Sequence, residues 1–181
     1  MRVGIFDHFG WAVAVTASPD HRVADRRRIA LVEDHLTAAP MHYDSRHLDV
    51  AGTAALVAKV RASAARSASS AFDALAAAVR ESIVSISLRT WPPDFPDDIA
   101  TQRRAPYESR ADAIMYRQVL ADVAHERGWE VNLYNAKDVE GQAASLLGAR
   151  ADEVLKSPRA RLGPPWTKDH RIALAATILA E

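Results

Sequence analysis

The chain contains no cysteine, which excludes disulfides, thiol nucleophiles and thiolate metal sites. It has only seven glycines and neither a GxxxxGK[ST] nor a GxGxxG sequence, so there is little from which to build a phosphate-cradling loop. A Gly-x-Ser-x-Gly elbow for a serine hydrolase is also missing. Net charge is absent too: 23 basic residues balance 23 acidic ones, which removes the bulk electrostatic argument for a nucleic-acid or membrane partner and leaves only local patches. No apolar run approaches the roughly 20 residues of a membrane span. The opening Met1–Asp7 has neither the long apolar stretch nor the cleavage site of a signal peptide. The expectation is a soluble cytoplasmic protein with no membrane partner. Lysine is scarce as well, at four residues against 19 arginines. With abundant alanine, this is the coding bias of a GC-rich genome, so arginine alone does not indicate phosphate binding.

What is present suits a globular α/β chain. The 181 residues are 49% hydrophobic, enough for a proper core, and no internal repeat or linker divides them; a single domain over residues 1–181 is expected. Val3–Phe6 reads as a short buried strand, Asp7–Gly10 as a turn and Trp11–Ala17 as a second strand. A third strand is expected in the later part of residues 22–33, with a short helix as the alternative. Residues 34–52 are polar, His-rich and aperiodic, and read as a loop. Leu56, Val57, Val60, Ala64, Phe72, Leu75 and Val79 recur at helical spacing within residues 53–80, with a Ser-rich middle that is expected to break or kink the helix. Residues 82–89 alternate as a strand, ended by Trp91-Pro92-Pro93, and a mobile loop is expected from there to Glu108. Ser109 and Asp112 form a capping-box pattern for a helix that Gly128 stops. Residues 129–134 read as a strand, 139–147 and 149–155 as helices, 157–166 as a loop, and Thr167 as the cap of a final helix over 168–181.

Three opening strands joined by short turns must be antiparallel. The two later strands each follow a helix and must run parallel to a neighbour through right-handed crossovers. The result is a mixed five-stranded sheet, three antiparallel strands and then βαβα, flanked by helices. This order, together with Ile5-Phe6-Asp7-His8-Phe9-Gly10 and Lys168-Asp169-His170-Arg171-Ile172-Ala173, resembles the ribonuclease H-like superfamily, and within it the RuvC-type Holliday-junction resolvases. Ser85–Arg89 is similar to their fourth strand, Arg110–Ala113 to the start of the helix that follows it, and Val131–Tyr134 to the fifth strand.

The resemblance implies a metal-dependent nuclease acting on nucleic acid, as a homodimer. Two divalent ions, Mg²⁺ or Mn²⁺, would sit roughly 3.5–4 Å apart and clamp the attacking and leaving oxygens. Hard cations take carboxylates, and Asp7 and Asp169 match two of the positions that supply them. Glu33 and Asp138 are candidate third ligands that the resemblance does not itself assign. The family's strand-four Glu falls within Ser85–Arg89, which has no carboxylate, and its second acid on the last helix falls on Ile172. A catalytically degenerate domain that serves as a protein- or nucleic-acid-interaction module is therefore the alternative. An arginine between Asp7 and Asp169, with Arg89 and Arg171 as the candidates, would favour it.

Each candidate also has a structural reading. Asp7 can cap a turn, and Asp169 gains from the dipole of its helix. His8 and His170 are ordinary histidines unless the site recruits them as ligands or proton shuttles, and His35, His42 and His47 match no compact metal spacing. Arg26-Arg27-Arg28 on a strand alternates between faces and makes no single patch. Arg103, Arg104, Arg159, Arg161 and Lys168, with Trp166 to stack a base, are the candidates for following a nucleic-acid backbone.

Overall fold

The computed structural model describes residues 1–180. Its strands are β1 (Arg2–His8), β2 (Trp11–Ala17), β3 (Val23–Ala30), β4 (Ser85–Arg89) and β5 (Glu130–Tyr134). The helices are α1 (Val50–Ala78), α2 (Ile99–Gln102), α3 (Glu108–His125), α4 (Val139–Leu147), α5 (Ala151–Lys156), α6 (Pro158–Leu162) and α7 (Lys168–Ile178). The five strands form one sheet in the order β3-β2-β1-β4-β5. β1–β2 and β2–β3 are antiparallel, whereas β1–β4 and β4–β5 are parallel. This is the mixed five-stranded α/β arrangement expected from the sequence, three antiparallel strands followed by two parallel ones.

Alternation along the strands feeds two cores, one on each face. Val3, Ile5, Ala14, Ile86 and Leu88 join Val60, Phe72 and Leu75 of α1 and Val119 and Leu120 of α3. Val13, Val15 and Tyr134 join Val139 of α4 and Ile172, Leu174 and Ile178 of α7 on the opposite face. Each fully buried aliphatic or aromatic side chain contributes about 1.5–3 kcal/mol. α7 lies directly on β1 because Gly4 offers no side chain: a Cβ there would stand 1.8 Å from the Ala173 carbonyl oxygen. Ser87 of β4 is equally small, and its hydroxyl donates to the Ala176 carbonyl at 3.0 Å. These contacts hold the first turn of α7 beside the carboxyl end of β1.

Several elements depart from the sequence expectation. Residues 82–84 are not strand, Ile99–Gln102 and Pro158–Leu162 form short helices where loops were expected, and the final helix was expected to reach Glu181, which lies outside the described residues. The Ser-rich stretch does not break α1. The helix runs for 29 residues because Ala64, Ala68, Phe72 and Leu75 keep one buried stripe, while the Ser69 hydroxyl accepts from Arg127 on the outside. The N-cap of α3 is Tyr107, not Ser109. Asp112 turns inward, 2% exposed, and accepts the Met41 and His42 backbone N–H groups at 2.9 Å each, tying the 31–49 loop to α3. Burial raises its pKa despite those two bonds. Thr167 caps α7 as expected, and the third residue of its box is His170, whose Nδ1 accepts the Thr167 N–H.

Candidate functional site

β1 and β4 pair only through Arg2–Gly4 and Ser85–Ser87, and the rest of β1 has no β4 partner. Open α/β sheets bind ligands where neighbouring strands part at their carboxyl ends. Here the chain fills that split with its own side chains. The Tyr134 hydroxyl, carried over from β5, donates to the Ile5 carbonyl at 2.6 Å. Arg89, the last residue of β4, donates to the Asp7 carbonyl. Both carbonyls belong to the unpaired part of β1, and a buried carbonyl needs a donor.

Asp7 is 2% exposed and its carboxylate is fully engaged. Arg89 grips both oxygens, Nε to Oδ1 at 2.7 Å and Nη2 to Oδ2 at 2.6 Å. Arg117 of α3 adds Nε to Oδ2 at 3.0 Å and donates from Nη1 to the Thr90 carbonyl. Such fork-on-carboxylate pairing is the strongest geometry available to an arginine. Burial works against the charge on Arg89, but the hydrogen bonds and charge of Asp7 outweigh it, and its pKa is raised. Burial, and after it the Asp7 charge, push the Tyr134 hydroxyl well above the ordinary tyrosine range, so it remains a donor.

Asp169 lies in the first turn of α7, and its Oδ2 is 3.0 Å from His8 Nε2. The His8 ring stacks on Trp11 at 3.9 Å between centroids, and the Arg28 guanidinium stands 4.4 Å from the centre of the Trp11 ring. Arg89 likewise stands 4.7 Å from the centre of the Phe6 ring, so both aromatics beside the split carry an arginine.

The remaining candidates are dispersed. Glu33 accepts from Arg66 at 2.9 Å, which holds its carboxyl below the usual range, and it lies 3.8 Å from His35. Asp138 is exposed at the N-cap position of α4 and makes no side-chain cap bond. Among the described residues no group of three or more His, Asp or Glu side chains could hold a metal ion. The expected Mg²⁺ or Mn²⁺ ligand set of Asp7, Asp169, Glu33 and Asp138 is therefore corrected: the four are not assembled, and the one buried carboxylate is spent on two guanidiniums. The residues do not fit a two-metal centre. Of the two arginines named as candidates, Arg89 pairs with Asp7, whereas Arg171 pairs with Glu140 at 2.8 Å.

The expected nucleic-acid surface is redrawn as well. Arg103 donates to the Ser45 and Leu48 carbonyls, and Arg161 to the Val23 carbonyl. Trp166 is 7% exposed, with Nε1 on the Leu155 carbonyl, and offers no face for a base. These three hold the fold together. Arg104, Arg159 and Lys168 are exposed, as is Arg161 beyond its one bond to Val23. Arg117 and Tyr134 were not read as site residues. Arg117 sits on a helix face whose register needs the α3–β1 packing, and Tyr134 reaches its partner from two strands away.

An open cleft of about 710 Å³ adjoins the split, lined by Phe6, His8, Ala136, Lys137, Glu140, Lys168, Asp169 and Ile172. No helix of the described residues is long and apolar enough to cross a membrane.

No family model and no curated protein matches the sequence. Solved structures similar to the chain include two of RuvC. The RuvC structure of Thermus thermophilus is 13% identical over 98% of this chain and 90% of that one, with a TM-score of 0.48. T. thermophilus RuvC in complex with Holliday junction substrate is 14% identical over 98% and 89%, also with a TM-score of 0.48.

Proposed function

We propose that the protein is a ribonuclease H-like domain that has given up two-metal chemistry and acts as an interaction module for nucleic acid. One observation carries this reading: the buried carboxylate at the end of β1 is bound by Arg89 and Arg117. A divalent ion would have to displace two guanidiniums from Asp7 and would find no third carboxylate beside it. A nucleic-acid partner is supported over a protein one by the cations left exposed around the split, Lys137 and Lys168 at the cleft and Arg104 and Arg159 on the loops. The balanced composition argues for a local footprint, not a basic face.

Calorimetric titration with Mn²⁺, beside an Asp7→Asn variant, tests the first half. The expected result is no saturable binding at millimolar Mn²⁺ in either protein, and no cleavage of branched or single-stranded substrates in Mg²⁺ or Mn²⁺. Saturable binding that Asp7→Asn abolishes would restore the nuclease reading. The second half predicts that single-stranded or branched DNA binds equally well in EDTA and in Mg²⁺, with affinity falling as salt rises. Binding that requires the metal would overturn it.

A further inference from the structure

We propose that the cleft between the first turns of α4 and α7 is a phosphate site, with Lys137 and Lys168 as its ligating groups. This rests on the interaction-module reading only for the polymer as the source of the phosphate. Most charged groups around the cleft already have partners. Arg89 and Arg117 are bound to Asp7, Arg171 to Glu140, and His8 to Asp169. Arg26 donates to the Leu162, Gly163, Pro164 and Pro165 carbonyls, and Arg28 stands over Trp11. Of the carboxylates lining the cleft, Glu140 is paired with Arg171 and Asp169 is hydrogen-bonded to His8. Lys137 and Lys168 line the same cleft, are exposed, and form no side-chain hydrogen bond or ion pair among the described residues.

The chain has only four lysines, so two uncompensated ammonium groups in one cleft is a concentration that composition does not predict. They come from different walls, Lys137 from the loop after β5 and Lys168 from the start of α7. An anion bridging both walls must offer acceptor oxygens in more than one direction, as a phosphoryl group does. An ammonium serves a phosphate as a point charge and needs no fixed fork. Phe6, Ala136 and Ile172 give the same cleft an apolar strip, against which the sugar or base attached to that phosphate can lie. The shared chemistry is therefore a nucleotide phosphate, from a free mononucleotide or from a nucleic-acid backbone.

The other two lysines supply the control. Lys59 and Lys156 are exposed and lie outside the cleft, so Lys59→Ala/Lys156→Ala changes net charge as much as Lys137→Ala/Lys168→Ala does. A fluorescent 12-nucleotide single-stranded DNA is titrated in EDTA at several salt concentrations. Separately, lysine acetylation is mapped by mass spectrometry with adenosine monophosphate, with the DNA and with neither. The cleft double variant is expected to bind the DNA about tenfold more weakly and to lower the slope of log affinity against log salt by about 1.4. The control double variant should change neither beyond about twofold, and the DNA should shield Lys137 and Lys168 but not Lys59 and Lys156. Protection of those two lysines by adenosine monophosphate, with no DNA binding by the native protein, keeps the phosphate site and overturns the nucleic-acid module. DNA binding that both double variants weaken equally, or that neither weakens, overturns the phosphate site and leaves the module standing. No binding of either probe overturns both.

Discussion

Arg89→Met tests the closed site most directly. Methionine keeps an unbranched apolar stem and removes the guanidinium, together with its place over the Phe6 ring. Three hydrogen bonds vanish, two to the Asp7 carboxylate and one to the Asp7 carbonyl. Removing one partner of a buried ion pair costs about 3–5 kcal/mol, because the surviving charge is stranded. Two features place this site at the lower end. Arg117 still holds Oδ2 at 3.0 Å, and the Arg89 side chain is 23% exposed, so water enters the space it leaves. The expected loss is about 3 kcal/mol. At roughly 2–4 °C per kcal/mol for a chain of this size, the melting temperature falls by about 6–12 °C. Asp7→Asn added to Arg89→Met removes the stranded charge and should recover about half of the loss, a coupling that only a direct contact produces. Urea unfolding followed by tryptophan fluorescence reads all three proteins. A loss below about 1 kcal/mol in the single variant, or a double variant no more stable than the single one, would refute the buried pair.

Gly4→Ala drives a Cβ into the Ala173 carbonyl, a backbone clash that only a shift of α7 relieves; calorimetry should show about 3 kcal/mol lost, and a near-neutral result would refute the direct seating of α7 on β1. Asp112→Ala strands the Met41 and His42 N–H groups, so about 2–3 kcal/mol should be lost and amide exchange across residues 36–47 should quicken, whereas unchanged exchange would show that the loop is held by something else. Burial, and then the Arg26 charge, lower the pKa of His170 below its ordinary value near 6.5. The unfolded chain therefore takes up the proton first as pH falls, so this group's contribution to stability is whole above about pH 6.5 and declines as pH drops toward the folded pKa. Thermal melts between pH 7.5 and 5 should fall less steeply for His170→Gln than for the native protein, and equal slopes would contradict the assignment.

The order of strands and helices was legible because it rests on local signals. The Val-rich Trp11–Ala17, the short turns at Gly10 and Pro19, and the 3- and 4-residue spacing of Ala64, Ala68, Phe72 and Leu75 are all written into short windows of sequence. Asp7 was legible as an anomaly, a charge closing a buried strand, and so was the chance that Arg89 neutralises it. What could not be read were identities that depend on two elements meeting. Asp112 has the spacing of a helix cap, yet it caps a loop 70 residues away, because its face of α3 is buried. Trp166 follows two prolines in a basic loop and looks available to a base, yet Leu155 takes its N–H and the core takes its ring. Arg103 and Arg161 look free in sequence, and backbone carbonyls claim them. In each case a short polar or aromatic motif was read as facing solvent when a tertiary contact had already used it.

The electrostatics of the closed split follow from its hydrogen-bond accounting. β1 outruns β4, so Ile5 and Asp7 present carbonyls without strand partners, and the carboxylate of Asp7 is buried beside them. Water or a metal could satisfy such a group elsewhere; here Tyr134 takes one carbonyl, and Arg89 takes the other together with the carboxylate. One arginine would leave this centre neutral. The second, Arg117, makes it positive, two guanidiniums to one carboxylate. Nearby, Glu140 is neutralised by Arg171, and Asp169 is held by His8. With Arg89 and Arg117 on Asp7 and Arg171 on Glu140, the carboxyl end of β1 carries no excess of negative charge to attract a cation, and Lys137 and Lys168 add positive charge at the cleft. If the cleft takes a phosphate as proposed, it does so on the charge of these two lysines, without a metal to bridge it.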